Sequence, residues 1–72
     1  MTNTTELMQC ISNCGYKLSY VAEYVGLSRQ GFSKKVHNVH PFNTDEVEKL
    51  CKLLGIKSAT DMKRIFFVQK VD

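Results

Sequence analysis

The chain has 72 residues, enough for one small domain that buries only about 60% of its unfolded surface. An apolar share of 43% and an aromatic share of 10% fit an ordinary globular core and exclude a disordered or collagen-like chain. The net charge of +3 is a mild bias toward anionic partners, and the longest apolar run, Ile65 to Val68, falls far short of the roughly 20 residues that span a bilayer.

The opening Met1 to Glu6 lacks the basic and apolar segments of a secretory signal, so a cytoplasmic location without a membrane partner is expected. An odd set of three cysteines, Cys10, Cys14 and Cys51, argues against a disulfide framework. Cys10 and Cys14 stand one helical turn apart, with Cβ atoms about 5–6 Å from each other where a disulfide needs about 3.8 Å. All three are expected as small buried hydrophobes.

Five helices are predicted, near 4–14, 19–25, 29–37, 44–54 and 59–64. The first starts at Asn3 or Thr4, with Glu6 completing a box-like cap. Leu7, Cys10, Ile11 and Cys14 form its buried stripe, and Gly15 ends it. The second starts after Ser19, buries Val21, Ala22 and Val25, and stops at Gly26. It is too short to hold itself together without neighbours. Ser28 caps the third, in which Phe32 and Val36 turn inward while Arg29, Gln30, Ser33, Lys34 and His37 stay on the other faces.

Asn43 is the best helix cap in the chain. Glu46 stands three residues on, Phe42 can staple onto Val47, and Asp45, Glu46 and Glu48 lie at the positive end of the helix dipole. Val47, Leu50, Cys51 and Leu54 repeat with the helical period, and Gly55 closes the element. Ser58 or Thr60 caps the fifth helix. The tail Ile65 to Val71 suits either a strand or a frayed helical extension. The expected core is Leu7, Ile11, Val21, Val25, Leu27, Phe32, Val47, Leu50 and Leu54.

Residues 18–36 carry the functional signal. A short helix, a glycine turn at Gly26 with Leu27 plugging the angle, and an abruptly capped third helix form the helix-turn-helix layout. Within Lys17 to Lys35 the charges Lys17, Arg29, Lys34 and Lys35 stand against Glu23 alone, so the positive field concentrates here.

Over residues 5–55 the chain resembles phage Cro- and repressor-type helix-turn-helix domains. Gly26-Leu-Ser-Arg-Gln-Gly-Phe-Ser-Lys-Lys-Val36, Phe42 to Gly55 and Arg64-Ile-Phe-Phe67 are similar to small switch regulators in phages of Gram-positive bacteria, the modulator-of-repression antirepressors among them. The resemblance implies an all-α five-helix bundle and a role in the lysogeny switch. It implies opposition to a lysogenic repressor of the CI type, by hetero-association with it or by occupying operator DNA. On the family pattern Arg29, Gln30, Ser33 and Lys34 match groove-facing positions, and Lys17, Ser19 and Asn38 match phosphate contacts. Many relatives carry a hydrophobic residue at the position of Lys35, so here Val36 must take over that packing.

A second docking surface is suggested by the acids Asp45, Glu46 and Glu48, which suit the basic DNA-reading face of a repressor. The apolar tail Ile65 to Val71 would give that surface its hydrophobic centre. No metal is expected. Cys10, Cys14, His37 and His40 have the residue types of a zinc finger, but 22 residues separate Cys14 from His37 where about 12 are needed. Neither an enzyme nor a cofactor or small-molecule ligand is expected of a chain with so little volume for a pocket.

Overall fold

The computed structural model describes residues 1–68. Five helices follow one another: α1 Thr4–Asn13, α2 Leu18–Val25, α3 Arg29–Val36, α4 Thr44–Leu54 and α5 Ala59–Phe66, with no strand among the described residues. The fold is all-α, as the periodicity predicts, and each boundary lies within two residues of its expected place. Among the described residues no helix is long and apolar enough to cross a membrane.

The caps explain the sharpness of those boundaries. Asn3, Ser28, Asn43 and Ser58 each place a side-chain oxygen on a first-turn backbone N–H. α2 is the exception. It starts one residue earlier than expected, from Lys17 in extended conformation with no side-chain cap, and Ser19 lies exposed inside its first turn.

α2 packs against both α3 and α4, and α1 packs against α5. Leu7, Ile11, Val21, Val25, Phe32, Val47 and Leu50 meet in the core with Ala22, Val36, Cys51, Ile65 and Phe66. Leu27 and Leu54 are half-buried at its rim, against the expectation that both are central. Phe42 bridges two core aromatics, its ring centroid 6.0 Å from Phe32 and 6.0 Å, edge-on, from Phe66. Such tilted and T-shaped pairs are the favoured aromatic geometries.

The tail expectation resolves toward the helix through Phe66. Ile65 and Phe66 continue the inward stripe of α5, and burying them outweighs their β-branched and aromatic preference for a strand. The part of that expectation on residues 69–71 lies outside the described residues.

The two ends of the described chain clasp each other. The Asn3 N–H donates to the Ile65 carbonyl at 2.7 Å, the Val68 N–H to Met1 at 2.9 Å, and the Met1 ammonium back to Val68 at 3.2 Å. All three cysteines are free, but only Cys51 is buried; Cys10 is partly buried and Cys14 is exposed, contrary to the reading of all three as core residues.

Candidate nucleic-acid and partner interfaces

The turn from α2 to α3 is built by a backbone motif. Gly26 takes φ +86°, its N–H donates to Glu23, and the Leu27 N–H reaches back to Ala22 at 2.9 Å. This paired closure needs a left-handed residue, which glycine adopts without steric cost. Ser28 then starts α3 at once, its Oγ accepting from the Gly31 N–H at 3.0 Å.

Phe32 and Val36 anchor α3 to the core at 1% and 2% exposure, which fixes the rotation of the helix. Arg29, Gln30, Ser33, Lys34 and His37 are thereby all exposed, and none of their side chains has a hydrogen-bond or ion-pair partner among the described residues. A face of free donors with two fixed cations suits the major groove. Arg pairs with guanine and Gln with adenine in two-point geometry. His37, one turn beyond Ser33 and Lys34, lies on the same exposed face.

Gly31 has a local explanation. A Cβ there would lie 3.1 Å from the Ser28 Oγ, the atom that caps the helix. No other backbone comes close.

Of the expected phosphate contacts, Lys17 and Ser19 are exposed at the start of α2. Asn38 is exposed as well, at the end of α3. It occupies the left-handed position (φ +64°) that closes α3, with the Val39 N–H returning to the Lys34 carbonyl at 2.8 Å. Its amide is also engaged: Oδ1 accepts from the Thr2 N–H at 2.8 Å and Nδ2 donates to the Thr2 carbonyl at 2.9 Å. Thr4 adds a hydroxyl donation to the Val36 carbonyl at 2.6 Å. Asparagine is the usual substitute for glycine at this site, and that signal could have identified its role.

The acidic opening of α4 divides in two. Asp45 and Glu48 are exposed, whereas Glu46 is 6% exposed and cannot meet a partner, which corrects its assignment to a docking surface. The Glu46 carboxylate accepts the Asn43 N–H at 2.9 Å, and Asn43 Oδ1 accepts the Glu46 N–H at 2.8 Å, a complete capping box. Lys35 reaches the same carboxylate with Nζ 2.6 and 2.8 Å from its two oxygens. Lys35 thus ties α3 to α4 with a largely buried ion pair, and Val36 carries the apolar packing.

Beside that opening lies an apolar cleft of about 310 Å³ lined by Phe42, Thr44, Val47, Glu48, Cys51, Met62 and Phe67. A second hollow, of about 430 Å³, shares Phe42, Val47 and Phe67 and extends to Met1, Pro41 and Phe66. Phe67 stands between them at 56% exposure. Ile65 and Phe66, expected as docking residues, are core instead, so exposed Phe67 supplies the apolar surface, with partly buried Phe42 and Met62 lining the cleft beside it.

Burial pushes the thiol pKa values of Cys10 and Cys51 up, with the Glu6 carboxylate adding to the effect at Cys10. Among the described residues no three His, Cys, Asp or Glu side chains converge as a metal site would require. Compared with protein-family models, characterised proteins and solved structures, the chain has no significant match.

Proposed function

We propose that this chain is a phage genetic-switch regulator of the antirepressor kind, which opposes lysogenic repression by associating with a CI-type repressor in the cytoplasm of the bacterial host. It works by binding and has no catalytic role. The observation that carries this reading is the edge of α4, where the exposed carboxylates Asp45 and Glu48 border an apolar cleft beside the half-exposed Phe67. An apolar centre with a charged rim is the composition of a protein interface, and negative rim charge is complementary to a DNA-reading surface.

Titration calorimetry against the DNA-binding domain of the cognate repressor tests it. Phe67→Ser should cost roughly 1–3 kcal/mol of binding, as truncated interface anchors do. Reversing Asp45 and Glu48 to Lys should slow association and weaken it further at low salt. Unchanged affinity in both variants would reject this surface.

A second reading, autonomous operator binding, is favoured by the unpartnered face of Arg29, Gln30, Ser33 and Lys34. Here Arg29→Ala and Gln30→Ala should each cost roughly 1–3 kcal/mol on the operator and much less on random DNA. Lys17→Ala should weaken every sequence alike and lower the salt dependence. Equal loss on both DNAs for Gln30→Ala would count against base readout.

A further inference from the structure

A tyrosine ladder that neither candidate interface uses runs from Tyr16, just before α2, along the outer face of that helix. Tyr16 and Tyr20 stack with centroids 5.3 Å apart, and Tyr20 meets Tyr24 at 6.5 Å. Tyr20 and Tyr24 are 48% and 42% exposed, unusually open for large rings on a helix whose other face is core. No phenol of the three has a hydrogen-bond partner among the described residues. Lys17 and Glu23 flank the ladder, exposed and without an ion-pair partner among the described residues.

The spacing of these five residues is symmetric about Tyr20. Tyrosines stand four positions to either side, and opposite charges stand three positions to either side, Lys17 before and Glu23 after. Such a pattern is complementary to itself when reversed. We propose that α2 is a self-association surface, on which a second copy of this chain docks antiparallel about a two-fold axis passing beside Tyr20. Tyr20 then packs on its counterpart. Tyr16 comes level with Tyr24 of the second copy, and Lys17 level with its Glu23, twice over by symmetry. An isologous contact of this kind closes at two copies and cannot propagate into a fibre.

A nucleic-acid strand is a poorer occupant, because Glu23 would face its phosphates and the ladder lies in no groove. The contact is small. Tyr20 and Tyr24 offer about 100 Å² each, given the roughly 150–250 Å² of a whole aromatic side chain. A stable complex covers about 800 Å² per partner. The dimer is therefore weak, forming in the upper micromolar to millimolar range and loosening as salt rises.

Sedimentation equilibrium of the full chain across that range, at low salt, tests the proposal. Lys17→Glu and Glu23→Lys should each raise the dissociation constant by about 3- to 10-fold, since each turns two attractive exposed pairs into repulsive ones. An equimolar mixture of those two variants should associate at least as tightly as the unaltered chain, because each then presents the charge the other lacks. Tyr20→Ala should abolish association while circular dichroism reports an intact fold. A chain that stays monomeric throughout overturns the proposal. So does a mixture no tighter than its components, which would place any dimer on another face.

Discussion

Replacing Glu46 by Ala removes three hydrogen bonds from one carboxylate: two from Lys35 and one from the Asn43 N–H that closes the α4 cap. Loss of a helix-capping interaction costs about 1 kcal/mol. Breaking a buried ion pair costs about 3–5 kcal/mol when the surviving charge is trapped. Lys35 keeps 19% side-chain exposure against 8% for Glu46, so its ammonium can turn partly to water and the second cost falls to about 2 kcal/mol. The sum is about 3 kcal/mol, or a fall of roughly 12–24 °C in Tm for a domain of this size. Glu46→Gln separates the two contributions, because its amide oxygen still accepts from Asn43 while the charge is gone. It should cost about 1–2 kcal/mol, and adding Lys35→Met to it should cost almost nothing more. Urea unfolding followed by circular dichroism measures all three variants. A loss below about 1 kcal/mol for Glu46→Ala would mean that both charges are solvated and that the pair does not hold α3 to α4.

Asn38→Gly should keep the left-handed closure of α3 and lose only the two bonds to Thr2, about 2 kcal/mol, while Asn38→Ala adds backbone strain and should cost about 3 kcal/mol. Equal losses in urea unfolding would show that the conformation at 38 is not the constraint. Of the three thiols, exposed Cys14 should react first with a disulfide reagent near pH 8, since burial raises the pKa of Cys10 and Cys51 and leaves them less thiolate. The gap should narrow as pH rises, and peptide mass spectrometry that found Cys51 modified first would contradict the burial described. Gly31→Ala gains about 1 kcal/mol of helix propensity but presses a Cβ against the capping oxygen of Ser28, so its net effect on stability should be near zero. A loss above about 2 kcal/mol would mean that the cap cannot yield.

Local chemistry made most of the fold legible. Asn3, Ser28 and Asn43 announce their helices because a cap acts within three residues, and Gly26 marks its turn for the same reason. What the sequence hid depends on contacts between elements. Nothing local tells that Glu46 turns away from solvent, because the ammonium that draws it in comes from Lys35 on another helix. Asn38 has the residue type for phosphate binding and for helix closure alike, and its bonds to Thr2 depend on a segment 36 positions away. Tail residues Ile65 and Phe66 carry strand preference locally and helix in the fold, since α1 supplies a surface that rewards the helical stripe. The exposed face of α3 was legible because Phe32 and Val36, four apart, fix how the helix is turned.

The clasp between the chain ends has a kinetic consequence. Joining residues some 65 positions apart in a free chain costs about 4 kcal/mol of loop entropy, beyond a fixed initiation term. Three backbone hydrogen bonds return only about 1 kcal/mol each. The clasp therefore cannot nucleate anything and must follow the docking of α5 on α1, which brings its ends together first. It should also be the first long-range contact to open, with the amides of Asn3 and Val68 exchanging with solvent well ahead of those in α2 and α4. When it opens, Thr2 and Thr4 loosen their hold on Asn38 and Val36. The far end of α3 would then fluctuate on the timescale of the chain ends, while its start stays as rigid as the core.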